Sequence, residues 1–159
     1  MLKFLSYDIV FQEVPGEITL AINISNCPNR CKGCHSPLLM EDVGEILNEQ
    51  ALYGILDKYG DAITCVCFMG GDISPHEVEQ LATYVHKIHI KTAWYSGRQN
   101  LPENLCLLHF DFIKLGPYIE LLGGLDSAST NQRFYRIENG EMIEATELFH
   151  KNVYSSLYV

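Results

Sequence analysis

Cys27, Cys31 and Cys34, in the run Asn-Cys-Pro-Asn-Arg-Cys-Lys-Gly-Cys-His-Ser, are the residues whose types and spacing could do chemistry. Three thiolates on one short loop can hold three corners of an iron–sulfur cube, whose usual complement is four cysteines. The fourth iron is then left open. An open coordination position can bind and activate a substrate, much as a catalytic zinc keeps one site free while a structural zinc is closed by four protein ligands.

A zinc site of the Cys3His kind, completed by His35 or His76, is the competing reading. Against it, the first gap holds three residues where the commonest zinc knuckle has two, and no second Cys-x-x-Cys pair follows downstream. His35 adjoins Cys34, and His76 falls at a helix start. The remaining cysteines read as structural: Cys65 and Cys67, two apart in an apolar run, share one face of a strand, and unpaired cysteine packs as a small hydrophobe. Cys106 is read the same way. His86, His89, His109 and His150 show no metal spacing.

Such a site needs a fold to hold it. A chain of 159 residues makes one domain, and domains of this size bury about 70% of their unfolded surface. Residues 1–152 are expected to form that domain, with 153–159 as a tail. Residues 1–10 include Asp8 and lack the apolar run and small-residue cleavage site of a secretion signal, and no stretch has the length of a membrane helix. The expectation is a cytoplasmic protein without a membrane partner. A formal charge of -9, with eleven Lys and Arg and no dense basic cluster, argues against nucleic acid.

The periodicity predicts strands at Ile9 to Gln12 and Ile18 to Ile24, the second feeding directly into the cysteine loop. Leu52, Ile55, Leu56 and Tyr59 recur at helical spacing between the cap Asn48 and Gly60. A short apolar strand, Ile63 to Phe68, follows. Ser74-Pro75-His76-Glu77 starts a second helix whose buried face is Val78, Leu81, Ala82, Val85 and Ile88. Strands at Ile90 to Tyr95 and Phe112 to Leu115 enclose a weaker helical stretch near Glu103 to Leu108. Asn139-Gly140 suits the tight turn of a hairpin between Phe134 to Ile137 and Met142 to Ile143. The alternation of strand and helix predicts a parallel α/β fold. The chain is shorter than the about 250 residues of a complete eight-stranded barrel, so a partial, open β/α barrel is expected.

Ligands of an open parallel sheet bind beyond the carboxyl ends of the strands. Four loops should meet there: the cysteine loop, Met69-Gly70-Gly71-Asp72, Ser96-Gly97-Arg98 and Gly116-Pro117-Tyr118. Paired glycines let backbone approach a ligand where a side chain would collide.

The three-then-two cysteine spacing and the Gly70-Gly71-Asp72 turn resemble the radical S-adenosylmethionine superfamily. Asp8-Ile9-Val10, Pro15-Gly16, the Cys-Lys-Gly-Cys-His run, Ser96-Gly97 and Ser129-Thr130-Asn131-Gln132-Arg133 are similar, more narrowly, to the activating proteins of anaerobic ribonucleoside-triphosphate reductases. The likeness covers about residues 8 to 137. Gly33 precedes the third cysteine, as is usual in that group. Two departures are Ile73, where members commonly carry proline, and Ser96-Gly97-Arg98, where they carry Thr-Gly-Tyr.

The resemblance implies a partial barrel of the radical S-adenosylmethionine type. Cys27, Cys31 and Cys34 would ligate a [4Fe-4S] cluster, and S-adenosylmethionine would chelate the open iron. Gly70, Gly71 and Asp72 would hold its amino group, Gly33, Cys34 and His35 would border the adenosine, and Ser96 would hydrogen-bond the cofactor. No further catalytic residue is implied. The partners would be an external one-electron donor such as flavodoxin and, as protein substrate, the anaerobic reductase, on which a glycyl radical is installed. The alternatives are an activator of another glycyl-radical enzyme, or a zinc or iron–sulfur module without activity.

Overall fold

Apolar residues on both faces of four short strands set the frame that carries the cysteine loop. The computed structural model describes residues 1–150; the expected tail, 153–159, lies outside the described residues. In chain order the elements are β1 (Lys3–Val10), β2 (Thr19–Ile24), β3 (Glu45–Ile46), α1 (Glu49–Tyr59), β4 (Cys65–Met69), α2 (Pro75–Lys87), β5 (Lys91–Tyr95), β6 (Phe112–Leu115), β7 (Arg133–Glu138) and β8 (Glu141–Glu144), with short 3-10 turns at Pro37–Met40, Leu107–His109 and Thr146–Phe149. They form an α/β fold around one eight-stranded sheet of order β3-β1-β2-β4-β5-β6-β7-β8. Strands β2, β4, β5 and β6 run parallel, whereas β1, β3, β7 and β8 pair antiparallel at the two ends.

The sheet is thus mixed, whereas the expectation is a parallel one with a hairpin at its last two strands. The physical reason lies in the connections. A parallel neighbour needs a crossover of about a dozen residues or more, but the eight-residue loop from Val10 to Thr19 and the two-residue turn from Glu138 to Glu141 only reverse the chain. Asn139 and Gly140, at φ +53° and +76°, make the second of these turns as their types predict.

Both helices begin where the sequence places them. Asn48 accepts a hydrogen bond from the Ala51 amide at 2.9 Å, capping α1. In α2 the serine–glutamate pair does not form the reciprocal capping box. Ser74 makes no side-chain cap to the helix backbone, and Glu77 reaches across to the Leu2 amide at 3.3 Å and the Met1 ammonium at 3.4 Å. Burial raises the Glu77 carboxyl, but hydrogen bonding with the Ser74 side chain, the Met1 ammonium and the Leu2 amide outweighs it and holds the group below its usual range. Val78, Leu81, Ala82 and Val85 are buried against the sheet, each large side chain contributing about 1.5–3 kcal/mol.

The helices cover one face only. Leu20, Ile22, Val66, Phe68, Trp94 and Ile113 pack beneath them. On the other face Cys65, Cys67, Ala93, Phe112 and Phe134 meet Val14 and Ala145 from loop segments. Cys65 and Cys67 therefore do share one face.

Three local expectations are corrected. The first strand is Lys3–Val10 rather than 9–12, because its partner in register is β2, with Val10 opposite Thr19. The helix near 103–108 is only a 3-10 turn at Leu107–His109, entered from an extended Cys106. Ile88 is exposed rather than buried, since α2 ends at Lys87 and His89, at φ +63°, swings the chain into β5. Among the described residues no helix is long and apolar enough to cross a membrane.

Candidate functional site

One row of side chains crosses the carboxyl ends of the four parallel strands. Asn23, Met69, Tyr95 and Lys114 are successive partners in register from β2 to β6, and all four line a cavity of about 290 Å³. They are its floor. The walls come from the loops that leave the same strands: Cys27, Asn29, Cys31, Cys34 and His35 after β2, Gly70 and Asp72 after β4, Gly97 after β5 and Tyr118 after β6. Gln132, ahead of β7, also lines the cavity.

The cysteine loop is wound by backbone in the left-handed region at Asn26, Arg30 and Gly33, with φ of +57°, +46° and +77°. Its ends are pinned, as the Asn26 and Cys27 amides donate to the carbonyls of Glu41 and Leu39, both at 2.9 Å. Two sulfurs accept hydrogen bonds: Cys27 Sγ from Asn29 Nδ2 at 3.6 Å and Cys34 Sγ from the Ser36 amide at 3.5 Å. Among the described residues no set of three donors that includes a loop cysteine gathers within 4.8 Å. Two sulfurs on a single tetrahedral zinc lie about 3.8 Å apart.

Asp72 is the hub of the site. It is 1% exposed, and its carboxylate accepts from Asn29 Nδ2 at 2.6 Å, Ser96 Oγ at 2.6 Å and the Gly97 amide at 2.9 Å. Asn29 thereby ties the cysteine loop to the turn after β4. Gly97 is needed for that tie, because a Cβ there would stand 2.5 Å from Asn29 Nδ2.

Of the residues expected at the site, Cys27, Cys31, Cys34, His35, Gly70 and Asp72 line the cavity, whereas Gly33, Gly71 and Ser96 do not. Ser96 is buried and spends its hydroxyl on Asp72 and on the Arg98 amide, 3.0 Å away. A Cβ on Gly71 would meet Val78 Cγ2 at 2.5 Å, so this glycine faces the core; one on Gly70 would meet the Ile24 carbonyl at 3.1 Å. The carbonyls of Gly70, Gly71 and Asp72 already accept from Trp94 Nε1, the Ser74 amide and the Arg98 guanidinium, at 2.8, 3.0 and 3.0 Å. Each retains one lone pair.

Lys114 and Asn29 are the residues that sequence reasoning missed. A single lysine inside Phe-Ile-Lys-Leu, just before Gly116-Pro117, was the available signal for the first; for Asn29 there was none. Burial lowers the Lys114 amine to about 8, against the opposing pull of Asp72 and the Cys31, Cys67 and Cys27 sulfurs. Its Nζ donates to the carbonyls of Ser96 at 3.2 Å and Gly116 at 2.8 Å, bonds that a neutral amine keeps. The unfolded chain therefore holds this proton more tightly than the folded one between about pH 8 and 10.5. Stability should rise with pH across that window and lose the gain as pH falls through 8. In metal-free protein, the denaturant midpoint of Lys114→Met should lack this rise, which is on the order of 1–3 kcal/mol; equal pH slopes in both proteins would refute the assignment.

Nothing among protein-family models, curated proteins or solved structures matches the chain, so the functional reading rests on this cavity and the residues around it.

Proposed function

We propose that the chain is an activating enzyme of the radical S-adenosylmethionine type, with Cys27, Cys31 and Cys34 as ligands of a [4Fe-4S] cluster and an anaerobic ribonucleoside-triphosphate reductase as protein substrate. One observation carries the reading: three cysteines of one loop and the Gly70–Asp72 turn line a single cavity at the carboxyl ends of four parallel strands. Those strands are read as the core of an open β/α barrel, with antiparallel pairs replacing its outer units.

The donor set suits the group. Three thiols on one loop can serve as ligands of three separate irons, and hydrogen bonds to cluster sulfurs are a known means of tuning such centres. Gly70 offers its free carbonyl lone pair to an ammonium. Lys114 offers a positive charge to a carboxylate. His35 and Tyr118, with ring centroids 4.9 Å apart, present aromatic faces for a purine. Asp72, Ser96 and Asn29 hold the two loops in place rather than touching the ligand through free donors. When bound, the cluster and S-adenosylmethionine would supply one-electron cleavage of the sulfonium and, with an external reductant such as flavodoxin, hydrogen abstraction from a glycine of the reductase. Leu38, Ile119 and Leu121 are exposed in hollows that share His35 and Tyr118 with the cavity. They give a protein substrate an apolar rim to cover.

The test is anaerobic reconstitution followed by electron paramagnetic resonance. The reduced cluster signal should change on adding S-adenosylmethionine, and 5′-deoxyadenosine and a glycyl doublet should form when the reductase is present. A protein that holds only zinc gives no signal and overturns the reading. A doublet on another glycyl-radical enzyme alone keeps the chemistry and replaces the partner.

A further inference from the structure

Glu79 on α2 and Cys106 and His109 at the 3-10 turn before β6 bring a carboxylate oxygen, a sulfur and an imidazole nitrogen within 4.8 Å of one another. This cluster is lined by none of the residues of the cysteine-loop cavity. Cys106, in extended backbone, leads into the 3-10 turn that His109 ends. Glu79 meets them from the facing helix.

The three donors face each other without satisfying each other. Among the described residues none of these side chains has a hydrogen-bond or ion-pair partner, although all three are half-buried. Their backbone, by contrast, is fixed. Thr83 Oγ1 donates to the Glu79 carbonyl at 2.8 Å, and Thr92 Oγ1 on β5 donates to the His109 carbonyl at 2.5 Å. Converging, unpartnered donors on anchored backbone are what a metal ion needs, since the ordering is done before the ion arrives.

We infer that Glu79, Cys106 and His109 form a second metal site, which takes zinc or a similar divalent transition ion with water in the fourth position. Sulfur, imidazole and carboxylate together suit zinc, and three protein ligands with one open position make a recognised coordination set. The hard ions magnesium and calcium, which take oxygen ligands, are disfavoured by the thiolate. On binding, the Cys106 sulfur–metal bond forms and the thiol proton leaves to solvent with no change of oxidation state, so affinity falls as pH falls. The ion would staple α2 to the segment entering β6, closing a loop of the chain from 79 to 106.

Cobalt(II) is the probe, since its thiolate complexes absorb in the near ultraviolet and its tetrahedral complexes in the visible. The full chain carrying Cys27→Ser, Cys31→Ser and Cys34→Ser, which removes the competing loop sulfurs, should bind one equivalent with both bands. Adding Cys106→Ala or His109→Gln should abolish them, and Glu79→Gln should weaken binding by at least about tenfold. Zinc should compete the cobalt away and raise the melting temperature only while Cys106 is present. Absence of the thiolate band, or a band that survives Cys106→Ala, overturns the site. If the triple-serine chain does not fold, zinc equivalents at saturation decide: Cys106→Ala in the otherwise unchanged protein should hold one fewer, and equal stoichiometry overturns the inference.

Discussion

Replacing Cys27, Cys31 or Cys34 by Ala is expected to abolish iron binding and every activity that depends on it, while Cys65→Ala and Cys67→Ala retain both. The contrast comes from the thiolate, the form that ligates a metal. All three loop cysteines are partly exposed and line the cavity. Cys65 and Cys67 are fully buried in the second face of the sheet, where burial, with help from nearby negative groups, pushes both thiols far above the ordinary range. They stay protonated and pack as apolar groups. Truncating either leaves a small cavity and costs about 1–2 kcal/mol, read as a lower denaturant midpoint with unchanged iron content. A folded Cys65→Ala protein that had lost its iron would disprove the three-cysteine assignment.

Asp72→Ala is expected to have the largest effect outside the cysteines. Three donors lose their acceptor at once, namely Asn29 Nδ2, Ser96 Oγ and the Gly97 amide. A buried donor left unpaired costs about 1–3 kcal/mol, and water reaching the partly exposed Asn29 and Gly97 relieves some of this, so a net loss of about 3 kcal/mol is expected. The functional consequence follows from the same bonds. With the carboxylate gone, the cysteine loop is no longer tied to the turn after β4, and affinity for S-adenosylmethionine should fall more steeply than iron content. Asp72→Asn preserves volume but turns an amide donor toward donors, so it should resemble Ala rather than the native residue. Stability and cofactor affinity both unchanged in Asp72→Ala would remove the hub role.

The two glycines of that turn differ in what surrounds them. Gly71 carries a positive φ and its Cβ position is occupied by Val78, so Gly71→Val reports on the core beneath α2. Gly70, whose backbone borders the cavity, is the informative position.

Elements whose signals are local were legible from the residues alone. Asn48 capped α1, Pro75 opened α2, Asn139-Gly140 turned the last hairpin, and the alternation of strands and helices implied an α/β fold with loops meeting beyond the strand ends. Each depends on neighbours a few positions away, which is the range over which propensity and periodicity act. Direction of pairing at the β3-β1 end of the sheet was not legible, because it depends on how the connections fold back and on which strand is already in place. Glu77 followed the helix-start pattern yet spent its carboxylate on Met1 and Leu2, a partner set decided by packing.

For the site, the sequence by itself determined that three cysteines share one loop and that this loop, a glycine-rich turn and two further loops leave the strands at one end. Only the tertiary structure decided which of these residues face the cavity. Ser96 and Gly71 turn away from it, while Asn29, Lys114 and the row from Asn23 to Tyr95 turn toward it, since strand register and the winding of a loop fix side-chain direction and neither is encoded in spacing. The cluster of Glu79, Cys106 and His109 shows the same limit most plainly: Cys106 and His109 carry no metal spacing with any other histidine or cysteine in the chain, and their third donor arrives from a helix 27 residues earlier, a distance that only the packing of α2 against the turn before β6 removes.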